Sequence, residues 1–328
     1  MSTRSKVGLV LGAGGIAGGA FHAGVLAALE EATGWDPRRA GLVVGTSAGS
    51  VSGAALRAGL SAPDMLARAL GRRASPAGER LMRDVQVPPA PSPLRPSREG
   101  GLPAQVISML TRAAASPFAA RPWALLAGLL PEGAVSTEMI SGSVGSLWRE
   151  GWPDDPLWIC AVRQADGRRV VFGRGTDLPP VPVAVAASCA IPSFFQPVSI
   201  DGQSYVDGGV HSPTNADVVR HASNDLGLDL ELVLISSPMS LTGRGLRWAG
   251  DQPVRRWSRL LLDTEARRLR RAGLHVLAFQ PTPEDAAVMG VNAMDPARRS
   301  AVARQAYEST LRRLDRADTH ERLAALMG

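Results

Sequence analysis

Residues 7–19 read VGLVLGAGGIAGG, and this stretch decides the fold class of the chain. Residues 7–11 form a short and almost wholly apolar run, which is typical of a strand buried inside a sheet. The glycine cluster that follows predicts a tight turn, and apolar residues then recur near helical spacing through residues 21–32. The sequence therefore begins with a strand, a glycine-rich turn and a helix.

A second unit of the same kind follows. Residues 42–44 predict another buried strand and residues 48–60 another helix, separated only by a sharp turn. Strands that alternate with helices form a parallel sheet with helices on its faces. We therefore predict an α/β fold with three α/β/α layers and a mainly parallel central sheet. Further strands are predicted at residues 157–162, 169–172, 198–200, 204–206, 230–235 and 274–279, and further helices at residues 181–187, 253–272 and 296–317.

A length of 328 residues suits one large α/β domain, so residues 1–328 are predicted to form a single domain. Within it, residues 71–135 differ in composition from their surroundings. Six prolines lie between residues 88 and 103, and an apolar stretch follows them. This insertion is predicted either to pack over the sheet or to form a mobile, apolar lid that contacts lipid. Residues 243–328 are predicted to form a basic, helix-rich C-terminal part.

Positive charge is concentrated in two segments. The chain has 36 Lys and Arg against 30 Asp and Glu, a net charge of +6. Residues 71–122 hold eight Arg and three acids, and residues 243–273 hold nine Arg and three acids. Such segments either form solvated helix faces or contact anionic lipid. No aromatic-interleaved nucleic-acid module accompanies them, so no nucleic-acid partner is expected.

Cys160 and Cys189 are the only cysteines, which excludes a disulfide-rich scaffold and leaves no metal-ligand spacing. The cysteines therefore predict no metal site. No cofactor is expected. Two uncharged runs, residues 7–29 and 178–200, are long enough to span a bilayer, but seven glycines interrupt the first and five prolines the second. We interpret both as core segments of an α/β protein, although the first also imitates a signal peptide. A cytoplasmic location is expected, with membrane contact only at the surface.

The motif Gly45-Thr46-Ser47-Ala48-Gly49 fits G-x-S-x-G and lies directly between a predicted strand and a predicted helix. That context is what a nucleophile elbow requires, because the turn lifts the serine hydroxyl clear of the sheet. The flanking glycines allow neighbouring backbone to approach without a Cβ clash. The alternative is a crossing of strand and helix that merely needs small residues.

The glycine cluster after the first strand allows two interpretations. Its backbone N–H groups can form a nest for a phosphate or for a developing oxyanion. Gly12, Gly14 and Ala17 satisfy the dinucleotide fingerprint, but the second strand ends in Thr46 and Ser47 instead of the acidic residue that would hold a ribose. An oxyanion hole beside Ser47 explains both glycine clusters at once.

A nucleophilic serine needs a base, and the sequence offers histidines or a carboxylate. Ser47, Asp207 and His275 follow the chain order of an α/β-hydrolase triad, but too few strands precede Ser47 for the usual sheet of that fold. Asp207-Gly208-Gly209, directly after a predicted strand, supplies the carboxylate; the same residues also suit a plain hairpin turn. The five histidines are His22, His211, His221, His275 and His320.

Three ordered motifs in residues 7–212 resemble those of the patatin-like phospholipases. The first strand with its glycine cluster and the FHAGVL segment at 21–26 is similar to their opening. The motif at 45–49 resembles their nucleophile motif. The third block comprises residues 187–197, ASCAIPSFFQP, and residues 205–209, YVDGG. A looser similarity continues through residues 281–295.

The resemblance implies a patatin-like fold and a Ser–Asp dyad, with Ser47 as nucleophile and Asp207 as its base. It implies an oxyanion hole from the amides near Gly14 and Gly15, together with Ala48. The reaction implied is hydrolysis of a lipid acyl ester through an acyl-Ser47 intermediate, without a metal. Phospholipid or lysophospholipid is the leading substrate class. The supporting motif glycines are Gly12, Gly18, Gly45, Gly49, Gly208 and Gly209.

Other functions remain open at the level of the sequence. The same dyad serves a general carboxylesterase or an acyltransferase, and a nucleotide-binding or lipid-binding protein without hydrolysis belongs to a different class. The chain also departs from the family's glycine loop. Ala17 stands where the family usually has a basic residue, Ala13 replaces a glycine, and one extra small residue precedes Ala20.

Overall fold

The computed structural model describes residues 5–85, 133, 135–148, 151–176, 178–242 and 252–315, with residues 319 and 323. One eight-stranded sheet forms its centre, in the order β5-β6-β3-β2-β1-β7-β8, with β4 paired to β3. The strands are β1 (Val7–Leu11), β2 (Leu42–Thr46), β3 (Leu157–Arg163), β4 (Arg169–Phe172), β5 (Val198–Ile200), β6 (Gln203–Asp207), β7 (Leu232–Ser236) and β8 (His275–Phe279).

The five strands β3, β2, β1, β7 and β8 are mutually parallel, whereas β4 and β6 pair antiparallel with β3, and β5 pairs antiparallel with β6. The predicted α/β class with a mainly parallel sheet is therefore confirmed. The carboxyl ends of β1, β2 and β7 meet at one edge of the sheet, called the carboxyl edge below. In open α/β sheets, binding sites lie outside the carboxyl ends of the strands.

Helices cover both faces of the sheet. They are α1 (Gly15–Thr33), α2 (Ala48–Arg57), α3 (Ala62–Ala69), α4 (Pro76–Met82), α5 (Glu138–Gly145), α6 (Val181–Ser188), α7 (Ala222–Leu226), α8 (Gln252–Arg271), α9 (Pro283–Met289) and α10 (Arg299–Leu314). Alternate residues of each strand enter opposite cores. Leu9 and Val43 pack with α1, α3, α6 and α10, whereas Val10 and Val44 pack with α8. These two apolar cores give the three α/β/α layers.

The predicted helices differ from the observed ones mainly at their ends. The helix predicted from residue 21 begins at Gly15, because the small residues after the glycine turn already form its first turns. The last helix begins at Arg299 after a 3₁₀ turn at Pro296–Arg298, where the Asp295 side chain accepts from the Ala297 N–H. Of the insertion predicted at 71–135, residues 86–132 and 134 lie outside the described part of the chain.

The two uncharged runs, residues 7–29 and 178–200, form no membrane-spanning helix. Within the described residues, no helix combines the length and the apolar character that crossing a bilayer requires. Residues 7–29 instead form β1 and most of α1, and residues 178–200 contain α6 and β5.

Candidate active site

Ser47 occupies the turn between β2 and α2 in a strained backbone conformation. Its φ of 52° and ψ of −122° place it in the left-handed half of conformational space, which a residue with a Cβ rarely adopts. The Ser47 carbonyl accepts from the Ser50 N–H at 2.8 Å as α2 begins. Such strain persists only where the surroundings enforce it, and it is concentrated at functional sites.

Two glycines of the serine motif allow this turn to form. A Cβ on Gly49 would overlap the Leu11 carbonyl oxygen at the end of β1, and one on Gly45 would lie 2.5 Å from the Ser50 Cα. Both approaches involve backbone atoms, which have little freedom to move aside. The G-x-S-x-G spacing therefore has a steric cause: the strand and the helix cross too closely for any side chain at these two positions.

Asp207 lies beside Ser47 because the strands that end at these residues, β6 and β2, pair with the same side of β3. β4 covers one edge of β3 at residues 159–162, so β2 and β6 both pair with its other edge. Cys160 pairs with Thr46 and Ala161 with Asp207, so the ends of β2 and β6 adjoin. Both Ser47 and Asp207 are 4% exposed.

Burial determines the electrostatics of Asp207. Removal from water raises the pKa of its carboxyl group to about 6, although hydrogen bonding to the Ser47 side chain and to the Gly209 N–H favours the ionised form. The Gly209 N–H donates to Asp207 Oδ1 at 2.7 Å. The Gly209 N–H therefore holds one oxygen of the carboxylate, which also interacts with the Ser47 side chain. Its basicity exceeds that of an ordinary Asp, whose pKa is about 4.

The glycine cluster forms the loop between β1 and α1, and several of its amides are already engaged. The N–H groups of Gly12, Ala13 and Ala17 donate to the carbonyls of Ser236, Pro213 and Ala293, at 3.0, 2.7 and 2.9 Å. Within the described residues, the N–H groups of Gly14, Gly15 and Ala48 have no hydrogen-bond acceptor. These three amides are the ones that the sequence predicted for an oxyanion hole.

The motif glycines bring this loop against the serine and aspartate motifs. A Cβ on Gly14 would lie 2.7 Å from the Gly18 Cα, and Gly15 has a φ of 59° beside the Met294 thioether. Gly18 faces the Ala48 side chain, and Gly209 faces Ala13. The remaining positions are tight against backbone: Gly12 against the Pro213 carbonyl oxygen, and Gly208 against that of Cys160.

His22 has a structural role in holding the glycine loop. It is fully buried, and its Nε2 lies 2.8 Å from the Gly12 carbonyl oxygen while Nδ1 lies 2.8 Å from Ser236 Oγ. Since a carbonyl only accepts, Nε2 carries the proton and Nδ1 accepts from the Ser236 hydroxyl. Burial lowers the pKa of His22 to about 4, so the ring is neutral. Both ring nitrogens are thus committed to loop contacts, and neither is directed to Ser47.

His275 cannot complete a triad with Ser47 in this fold. It pairs with Leu232 at the start of β8, and Leu232 pairs with Val7 at the start of β1. Ser47 follows the other end of the parallel strands. The start and the end of these parallel strands are four residues apart, which corresponds to roughly 13 Å. The described structure therefore favours a carboxylate over His275 as the neighbour of Ser47.

Asn215 joins the two strand ends and was missed by the sequence reasoning. Its Nδ2 donates to Thr46 Oγ1 at 3.1 Å, to the Gly208 carbonyl at 3.2 Å and to the Ser212 carbonyl at 2.6 Å. Asn215 itself has a φ of 50°, a conformation that Asn tolerates better than most residues. One buried amide thus ties the residue before Ser47 to the residue after Asp207.

A buried acidic residue of α8 supports the same segment. Glu265 accepts from Thr214 Oγ1 at 2.6 Å and from the Ala216 N–H at 2.8 Å. Its burial and the nearby Asp217 raise its pKa. Asp217 in turn forms ion pairs with Arg169 at 2.6 Å and with Arg268 at 3.3 Å. Arg268, one of the arginines of the basic C-terminal segment, is therefore engaged in an ion pair close to the aspartate loop, although its side chain is 53% exposed.

The arrangement defines a class of protein: an α/β protein with a serine on a strained strand-to-helix turn, a buried carboxylate beside it and a glycine loop at the same edge of the sheet. The chain belongs to the patatin-like phospholipase family, whose model matches residues 9–220. This family consists of lipid acyl hydrolases. The match spans the serine motif and the third motif block and all but the first two residues of the opening strand, whereas the looser similarity at residues 281–295 lies outside it.

Among solved structures, the chain is similar to VipD from Legionella pneumophila, with 14% identity and a TM-score of 0.41. The alignment covers 94% of this chain and 66% of that structure, so the chain spans slightly less than two thirds of its length. No curated protein sequence matches the chain significantly.

Proposed function

We propose that the protein is a serine acyl hydrolase that cleaves lipid acyl esters, with phospholipids and lysophospholipids as its leading substrates. The observation that carries the proposal is the pairing of Ser47, held in its strained turn, with the buried Asp207 carboxylate. Family membership supports the lipid ester as the substrate class. The amides of Gly14, Gly15 and Ala48 complete the site as donors to the developing oxyanion.

In the first half of the reaction, Ser47 Oγ attacks the ester carbonyl carbon while Asp207 accepts the hydroxyl proton. The carbonyl oxygen becomes an oxyanion, which the free backbone amides stabilise more strongly than they stabilise the ground-state ester. Collapse of this intermediate breaks the ester C–O bond. The leaving alcohol takes the proton from Asp207, and the acyl group remains on Ser47.

In the second half, a water molecule attacks the acyl carbon and gives its proton to Asp207. The tetrahedral intermediate collapses, the proton passes to Ser47 Oγ, and the fatty acid is released. Asp207 thus serves as base and then as acid in each half. A carboxyl group with its pKa near 6 is better matched to both tasks at neutral pH than an ordinary Asp.

The substrate class is tested by product analysis. Purified protein is incubated with phosphatidylcholine, with lysophosphatidylcholine and with p-nitrophenyl acetate, and released fatty acid or acetate is measured. We expect fatty acid from at least one lipid, with none from the Ser47→Ala variant. Turnover of the short ester alone would contradict the lipid assignment and favour a general carboxylesterase. Appearance of the acyl group on an added alcohol, without free fatty acid, would favour an acyltransferase.

The pH dependence of the reaction follows from the raised pKa of Asp207. Only the ionised carboxylate accepts the serine proton, so kcat/KM should fall about tenfold per pH unit below pH 6 and level off above it. The rate of covalent labelling by a neutral fluorophosphonate should show the same limb, independently of lipid packing. A labelling rate that stays constant between pH 4.5 and pH 8 would contradict Asp207 as the base.

We also propose that the N-terminal half of α8 contacts anionic membrane. The buried Arg255 donates to the carbonyl of Pro238 at 3.0 Å, and Pro238 packs against Gly14. This end of α8 therefore lies at the carboxyl edge. Arg256 and Arg259 are exposed there beside Leu260, which is 59% exposed. Cationic groups around an apolar side chain suit the surface of an anionic bilayer.

Vesicle co-sedimentation tests this surface. The Arg256→Gln/Arg259→Gln variant should bind phosphatidylglycerol vesicles about thirtyfold more weakly than wild type, since each of the two basic residues near such a surface contributes about 1 kcal/mol. Arg270→Gln/Arg271→Gln is the matched control, because those exposed arginines lie at the opposite end of α8. Wild-type binding should weaken at high salt. Binding that is insensitive to salt, or equal loss in both variants, would contradict this role.

A further inference from the structure

The segment Ser188-Cys189-Ala190 belongs to the third sequence motif, yet the proposed reaction gives it no task. It lies where α6 ends, between the strand of the serine and the strand of the aspartate. Ser188 is completely buried, and so is Ala190. A polar side chain without any exposure needs partners for its hydrogen-bonding groups, and those of Ser188 identify its role.

The Ser188 hydroxyl contacts the backbone of the strained serine. The Ser47 N–H donates to Ser188 Oγ at 2.9 Å, and the Ser188 hydroxyl donates to the Cys160 carbonyl at 2.7 Å. The roles are fixed, because an N–H only donates and a carbonyl only accepts. One buried hydroxyl therefore connects the nucleophile's own backbone to β3, the strand that also pairs with β6.

The same segment also holds the aspartate. The Asp207 N–H donates to the Ala190 carbonyl at 2.9 Å. Ser188 and Ala190, two residues apart at the end of one helix, thus bind the main chains of both Ser47 and Asp207. Cys189, between these two residues, lies next to the start of α2, since its Sγ is 3.8 Å from Ser50 Oγ.

We propose that Ser188 is a positioning residue for the reaction: its hydroxyl fixes the main chain of Ser47, and with it the distance from the nucleophile to Asp207 and the aim of the Ala48 amide. This inference rests on the proposed function. It explains why a serine stands in the ASCAIP motif at the end of α6. Without the hydroxyl, the Ser47 N–H and the Cys160 carbonyl would both be buried without this partner, and the strained φ of Ser47 would lose a constraint.

Ser188→Ala tests the proposal through kinetics rather than folding. A displaced nucleophile and a misaimed oxyanion donor weaken the transition state more than the bound ester. We therefore expect kcat to fall roughly 10- to 100-fold with little change in KM. The rate of fluorophosphonate labelling of Ser47 should fall by a similar factor. Ser188→Thr, which retains the hydroxyl, should recover much of that labelling rate.

Ser258→Ala is the matched control, because Ser258 is also buried but donates within α8 to the Val254 carbonyl at 2.8 Å. A folded Ser188→Ala protein that labels at the wild-type rate would overturn the inference while leaving the proposed function intact. Equal losses in Ser188→Ala and Ser188→Thr would assign the effect to packing, and so would an equal loss in Ser258→Ala. Either result would also overturn the inference. Absence of labelling and turnover in the wild type would instead overturn the proposed function, and this inference with it.

Discussion

Replacement of Ser47 by alanine should abolish ester hydrolysis, with a loss of roughly 10⁴- to 10⁶-fold in kcat. The substitution removes the only atom that forms the acyl intermediate, so binding and oxyanion contacts alone remain. The fold should persist, because alanine keeps the Cβ and the backbone contacts of the turn. Fatty-acid release from lipid vesicles measures the effect.

Ser52→Ala is the control for this experiment. Ser52 lies on the same helix and is also buried, at 5% exposure, but it is not part of the turn. We expect its activity to remain within about threefold of wild type. A Ser47→Ala protein that folds normally and still hydrolyses lipid at more than about a hundredth of the wild-type rate would exclude Ser47 as the nucleophile.

Asp207→Asn should be almost as damaging, with a loss of roughly 10²- to 10⁴-fold in kcat, because an amide cannot accept the serine proton. Asp201→Asn is the matched control: Asp201 is exposed in the turn of the same hairpin, with a φ of 50° that asparagine also tolerates. The His275→Ala variant, which changes an exposed residue, should retain activity. Normal turnover by Asp207→Asn, or a dead but folded His275→Ala variant, would overturn the assignment of the base.

The same Asp207→Asn substitution should stabilise the fold at neutral pH. The pKa of Asp207 is higher in the folded state than in the unfolded chain, so ionisation between about pH 4 and pH 6 favours unfolding. The neutral amide removes this cost, which is worth up to about 3 kcal/mol at pH 7.5 and vanishes near pH 3.5. Denaturant unfolding at both pH values measures it. An equal stability difference at the two pH values would show that burial of the charge is not the cause.

The fold class was predictable because its signals are local. Alternating strands and helices in residues 7–60 are enough to indicate a parallel sheet, and the glycines at 45 and 49 mark the tight crossing that the structure shows. The positions of β1, β4 and β5 were predicted to the residue. The ends of helices were predicted less accurately. The start of α1 was placed too late, because Gly15 and its small neighbours lack an apolar pattern although they form helix.

The supporting contacts of the site could not be predicted, because they join distant parts of the chain. Ser188 Oγ binds a backbone amide 141 residues away, and the Asn215 amide binds a hydroxyl 169 residues away. Nothing in their local sequence separates them from ordinary turn or helix-end residues. His22 lies close to the glycine loop along the sequence, but its burial, and with it a pKa lowered to about 4, is a property of the packed structure.

The most direct test of the account is to locate the covalent adduct that a fluorophosphonate forms with the wild-type protein. After labelling at pH 8 and proteolysis, mass spectrometry should find the phosphonyl group on Ser47 alone, and the Asp207→Asn protein should label at least about a hundredfold more slowly. A phosphonyl group on another residue, or a folded wild-type protein that takes no label, would contradict the account.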